Sequence, residues 1–79
     1  MEEKFCFVAV EFINDPNVVG LKYWYLCADE TVCVNSVVLA PLGRHNNEQQ
    51  GLVREVRFAP DYEAPFPIHL IKSIKKVIK

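Results

Sequence analysis

Few side chains in this sequence could carry chemistry, and their spacing discriminates among them. Cys27 and Cys33 are separated by five residues, with His45 and His69 far off in sequence. Structural zinc sites use tighter cysteine pairs, so no metal site is expected. Cys27, His45 and Asp61 offer a nucleophile, a base and an acid, but no spacing demands that they converge. A chain of 79 residues with no recognisable catalytic motif reads as a non-enzyme that needs no cofactor. The run Tyr23-Trp24-Tyr25 is different. On a strand, successive residues point to opposite faces, so Trp24 faces away from both tyrosines. Aromatics shown in this way beside basic side chains form base-stacking platforms. The plainer reading is packing of amphipathic rings.

Composition narrows the classes. Nine Lys and Arg against ten Asp and Glu leave a net charge of −1, which argues against a strongly basic nucleic-acid protein. The distribution is uneven, however, with Lys72, Lys75, Lys76 and Lys79 gathered at one end. An apolar content of 51% makes a packed core feasible and disorder improbable on composition. Three cysteines, Cys6, Cys27 and Cys33, form no CxxC pair and cannot all be paired within the chain. The apolar run Phe5–Val10 is too short for a signal-peptide core or a membrane span. A cytoplasmic protein with no membrane association is the expectation.

The elements that must position the aromatics read as follows. A single domain over 1–79 contains strands at about 5–13, 20–27, 37–41 and 52–59, followed by a helix at about 67–78. The first strand is apolar on both faces for half its length, which predicts cover on both sides. Asn14-Asp15-Pro16-Asn17 is a turn signal, and Asn35 suits a left-handed turn position. Pro41 closes the third strand, a polar loop spans 42–50, and Gly51 permits bending or close approach by a neighbour. In the fourth strand Leu52, Val56 and Phe58 read as inward and Glu55 and Arg57 as outward, with Arg54 an exception to the alternation. After the proline-rich link 60–67, Leu70, Ile71, Ile74, Val77 and Ile78 fall within an arc of roughly 120° at helical spacing, with the lysines opposite. The expected fold is mainly β, a small twisted SH3-like or OB-like barrel of four or five strands closed by this C-terminal amphipathic helix. An open antiparallel sheet with the helix on one face is the alternative.

Tyr25-Leu26, Asp29-Glu30, Asn35, Val38-Leu39-Ala40-Pro41-Leu42-Gly43-Arg44, Gly51-Leu52-Val53 and the final Pro67-Ile68-His69-Leu70-Ile71-Lys72 occur in an order and spacing worth comparing with known modules. Together they resemble the N-terminal 3′-DNA-binding domain of the bacterial primosomal replication-restart helicase (PriA, primosomal protein N′). The resemblance implies a small β-rich module gripping the 3′ end of a nascent strand. It implies a pocket built from an aromatic-Asp pair, a turn glycine and a lysine. Those positions are Tyr23 for the aromatic, Gly43 for the glycine and Lys72 for the lysine. The Asp position holds Trp24, whose indole donates a hydrogen bond but cannot accept one. That shifts the expectation from 3′-hydroxyl recognition toward stacking of single strands. Tyr23 and Trp24 would stack, Gly43 would admit a close backbone approach, and Arg44 and Lys72 would neutralise phosphate. The expected partner is single-stranded or 3′-ended DNA, bound weakly. The alternative is a protein-interaction module that kept the fold and lost the DNA-end pocket.

Overall fold

The strands are β1 (Phe5–Glu11), β2 (Tyr23–Leu26), β3 (Val37–Leu42), β4 (Asn47–Ala59) and β5 (Lys76–Val77). They form one antiparallel sheet in the order β2-β1-β4-β3-β5. The computed structural model describes residues 4–18, 20–29, 31–43, 45, 47–64, 67 and 70–78. Tyr25, Val32, Val38, Ala40 and Val53 pack with Cys6, Val8 and Val10 of β1 and with Phe12 just beyond it in the main core. The opposite side of β1 is covered too, with Phe7 and Ala9 fully buried. This agrees with the apolar character of both its faces.

β3 and β4 form a hairpin that is longer than the sequence suggests. The ladder runs from Val37–Leu52 to Leu42–Asn47, so Asn47–Gln50 belong to a strand and not to a polar loop. A polar stretch can be a strand where both its faces meet water and its backbone has a partner. Pro41 lies inside β3, opposite Glu48. Val53 N–H donates to Ser36 O at 2.9 Å, and alternation from that pair turns the proline nitrogen away from β4. β5 faces β3 only at Val38 and Leu39, so the missing N–H breaks no ladder bond.

The irregular parity around Arg54 has a structural cause. Ala9 pairs with Glu55 but Val10 pairs with Val53, leaving Arg54 as the extra residue of a β-bulge. The bulge resets the alternation. Gly51 and Val53 are buried before it, and Val56 packs against the core after it. Leu52 instead shares a face with its partners Glu11 and Val37, and Phe58 is half-exposed near the strand end. Arg54 turns to Glu11, with Nε 2.9 Å from Oε1. Gly51 lies where an added Cβ would run into Val10 Cγ1, with Glu11 O and Phe12 Cδ1 both at 3.2 Å. Asn35 adopts φ +78° at the turn into β3, as its side chain allows.

The C-terminal helix expected over 67–78, and with it the helix-closed barrel, is absent. Among the described residues of that span there is a single 3₁₀ position at Leu70, then extended chain leading into β5. Two physical reasons explain this. Ile71, Ile74, Val77 and Ile78 are β-branched and lose side-chain freedom in a helix. The extended segment also serves two strand edges at once, which a helix could not. Leu26 N–H donates to Lys72 O at 2.9 Å and Ile74 N–H to Leu26 O at 2.7 Å, on the β2 side. Lys75 N–H donates to Leu39 O and Ile78 N–H to Val37 O, both at 2.8 Å, on the β3 side. Contact with β2 is one parallel bridge, Leu26–Ser73, so the five-strand sheet remains open. Ile74 and Val77 still reach the core, whereas Leu70 and Ile78 are exposed.

Candidate functional site

The C-terminal segment fills the slot between the outer edges of β2 and β3 only in part, and the unfilled mouth is a cleft of about 450 Å³. Its position follows from strand alternation. Cys27 N–H donates to Cys6 O at 2.9 Å, so Cys27, Tyr25 and Tyr23 aim their backbone groups at β1. Leu26 and Trp24 aim theirs outward. The Leu26 groups are taken by Lys72 and Ile74. Those of Trp24 face the cleft.

Lys22, Tyr23, Trp24, Tyr25, Leu42 and Gly43 line it, and Leu70 and Lys72 complete the wall. Tyr25 ties the two strands together beneath the mouth. Its hydroxyl donates to Pro41 O at 2.7 Å, the carbonyl left facing the slot by the proline's position in the ladder. Burial, reinforced by neighbouring Tyr23, pushes the Tyr25 phenol up to about 12. Phe12 packs its ring edge-on to Tyr25, with centroids 6.2 Å apart, and lies tilted to Tyr23 at 6.0 Å. Tyr23 is therefore half-buried against the core while lining the cleft.

Gly43 begins the β3–β4 turn at φ +81°, a conformation that favours glycine. A Cβ there would meet nothing within 4 Å, so backbone conformation and not crowding sets the preference. Its carbonyl accepts a hydrogen bond from Lys72 Nζ at 2.8 Å. That bond fastens the turn to the C-terminal segment and leaves the ammonium with two further N–H groups. Trp24 stands on the other sheet face, opposite the fully buried Ala9. The Arg57 guanidinium lies 5.2 Å from the centre of its ring, within cation–π range. Arg57 also meets Glu55 at 3.3 Å.

Of the residues singled out from sequence, Tyr23, Trp24, Gly43 and Lys72 meet at this cleft, although they come from three separate parts of the chain. Arg44 lies outside the described residues, as does His69. Sequence reasoning missed two lining residues, Lys22 and Leu70, and Arg57, which packs on Trp24 away from the cleft. Lys22 was legible as a basic residue next to the aromatic run. Arg57 required the β1–β4 register, which only the bulge reveals. Leu70 was assigned to a buried helix face and instead stands exposed on the rim. The described lining includes two lysines and no carboxylate, so the cleft suits an anion carrying a flat or apolar group.

The remaining reactive groups are dispersed. Cys27 is buried, and burial raises its thiol above the usual range. Cys33 is exposed, with its sulfur 3.5 Å from Ser36 Oγ. Among the described residues no three His, Cys, Asp or Glu side chains gather as metal ligands, and no helix is long and apolar enough to cross a membrane. No protein-family profile, curated protein or solved structure matches this chain.

Proposed function

We propose that this chain is a small nucleic-acid-binding module that takes single-stranded DNA, weakly, in the cleft between β2, the Gly43 turn and the C-terminal segment. The observation that carries this reading is the meeting of Tyr23, Trp24, Gly43 and Lys72 around one opening with no carboxylate among its described lining residues. The sequence resemblance to the replication-restart 3′-DNA-binding domain points to the same positions. In this reading Tyr23 offers ring surface to bases in the cleft, Trp24 offers its ring on the other sheet face beside the same edge, and Lys22, Arg44 and Lys72 neutralise phosphate. The Gly43 turn keeps the approach open.

The test is a titration of a short single-stranded oligonucleotide followed by fluorescence of Trp24, the one tryptophan in the sequence. Neutralising two or three phosphates gives a slope of log K against log salt of about −1.4 to −2.1, or roughly a tenfold loss between 50 and 200 mM. Lys72→Ala should weaken binding, and blocking the 3′ end should weaken it further if an end is recognised. A protein that binds no oligonucleotide at low salt would end this reading.

A second reading, a protein-interaction module, has its own support. Trp24 presents backbone N–H and C=O at an open strand edge, flanked by the exposed Leu21 and Leu70. An extended peptide could add a strand there. Its binding would depend on backbone pairing and apolar contact, and would change little with salt.

A further inference from the structure

We infer that the cleft seats a phosphate monoester at the end of a nucleic-acid strand, in preference to a free hydroxyl end. This inference rests on the strand-binding reading above and specifies what its pocket selects. The charged side chains lining the cleft are donors. Lys72 keeps two N–H groups after bonding Gly43 O, Lys22 contributes a second ammonium, and the Trp24 backbone directs an N–H as well as a C=O toward the mouth. A carboxylate able to accept from a terminal hydroxyl is missing from the described lining. A strand ending in a hydroxyl would offer these ammonium groups only singly charged phosphodiesters. A terminal phosphate brings three acceptor oxygens and close to two negative charges at neutral pH, its second proton leaving near pH 6. Charge-assisted hydrogen bonds of this kind are stronger than neutral ones. The Tyr23 ring beside the donors would receive the terminal base. A mid-strand phosphodiester carries only one charge, so the inference concerns ends.

Three oligonucleotides of one sequence test this by Trp24 fluorescence at low salt, bearing a 3′-phosphate, a 5′-phosphate or hydroxyls at both ends. One of the phosphorylated strands should bind about tenfold tighter than the hydroxyl-ended strand, and which one does so identifies the end recognised. The gain should shrink in Lys22→Gln and Lys72→Gln, both conservative changes at exposed positions. It should shrink again at pH 5, where the phosphate takes up its second proton. Equal, salt-sensitive affinity for all three strands would overturn the terminal-phosphate inference and leave strand binding standing. Preference for the hydroxyl end, or a phosphate preference unchanged in both glutamine variants, would also overturn it. Absence of binding to any of the three would remove both readings together.

Discussion

Gly51→Ala is the perturbation whose outcome the packing determines most directly. The new Cβ would run into Val10 Cγ1, with Phe12 Cδ1 and Glu11 O both at 3.2 Å. Val10 and Phe12 are fully buried, so neither can step aside into solvent. Overpacking of this kind costs about 1–3 kcal/mol. Restricting the unfolded chain by replacing glycine returns about 0.4–1 kcal/mol. The net expectation is a loss of about 1–2 kcal/mol, equivalent to a fall in Tm of roughly 5–15 °C for a chain this short. Urea unfolding monitored by Trp24 fluorescence measures it. The decisive control is Val10→Ala, which removes the obstructing methyl. Alone it should destabilise by about 2 kcal/mol. Combined with Gly51→Ala it should lose at least about 1 kcal/mol less than the sum of the two single changes. A neutral or stabilised Gly51→Ala protein, or strictly additive losses, would show that β1 does not pass over Gly51 as closely as described.

Two further predictions concern titration. Glu11 is held below the usual carboxylate range chiefly by the hydrogen bond from Arg54, with the Gly20 N–H also contributing against a counteracting desolvation. Its contribution to stability is therefore complete above the ordinary glutamate value and disappears as pH falls through the lower folded value. Glu11→Gln should flatten the acid limb of a stability-against-pH curve measured by urea unfolding, and an unchanged acid limb would contradict this. For Tyr25 the sign is reversed. Its folded value of about 12 lies above the ordinary value of 10.0, so stability should hold below the ordinary value and decline as pH rises toward 12. Tyr25→Phe should remove that alkaline decline and cost about 1 kcal/mol at neutral pH through loss of the bond to Pro41 O.

What could be read from the sequence divides along a physical line between local and non-local causes. Asn35 and the Asn14–Asn17 turn were legible because their constraints are local, whereas Gly51 marked a close approach whose partner, the end of β1 and Phe12, is distant in sequence. Asn35 takes φ +78°, and Asn17 N–H donates to Asp15 Oδ1 at 3.0 Å in the turn. The cover on both sides of β1 was legible from its own composition. The anomaly at Arg54 was visible as a parity error, yet its meaning depended on a bulge defined against β1. The C-terminal segment failed for the strongest reason. The spacing of Leu70, Ile71, Ile74, Val77 and Ile78 matches a helix, and periodicity carries no information about unpaired strand edges elsewhere. β2 and β3 offer such edges, and the backbone hydrogen bonds to Leu26, Leu39 and Val37 outweigh a helical stripe built largely from β-branched residues.

The same error bears on how the cleft arises. A helix laid across the end of a barrel would present Lys72 on its solvent face, away from any strand edge. As an extended segment, the chain places Lys72 against the Gly43 turn and stops pairing with β2 at Leu26. Trp24, two residues earlier in the strand, is then the first outward-facing backbone position left uncovered. Pro41 contributes on the far side, since its carbonyl faces the slot and is taken up by Tyr25. The opening therefore arises where the segment bridges only part of the slot and a glycine turn stands at its rim. Tyr23, Trp24, Gly43 and Lys72 could be selected individually from sequence, but their arrangement around one mouth depends on strand alternation across the slot.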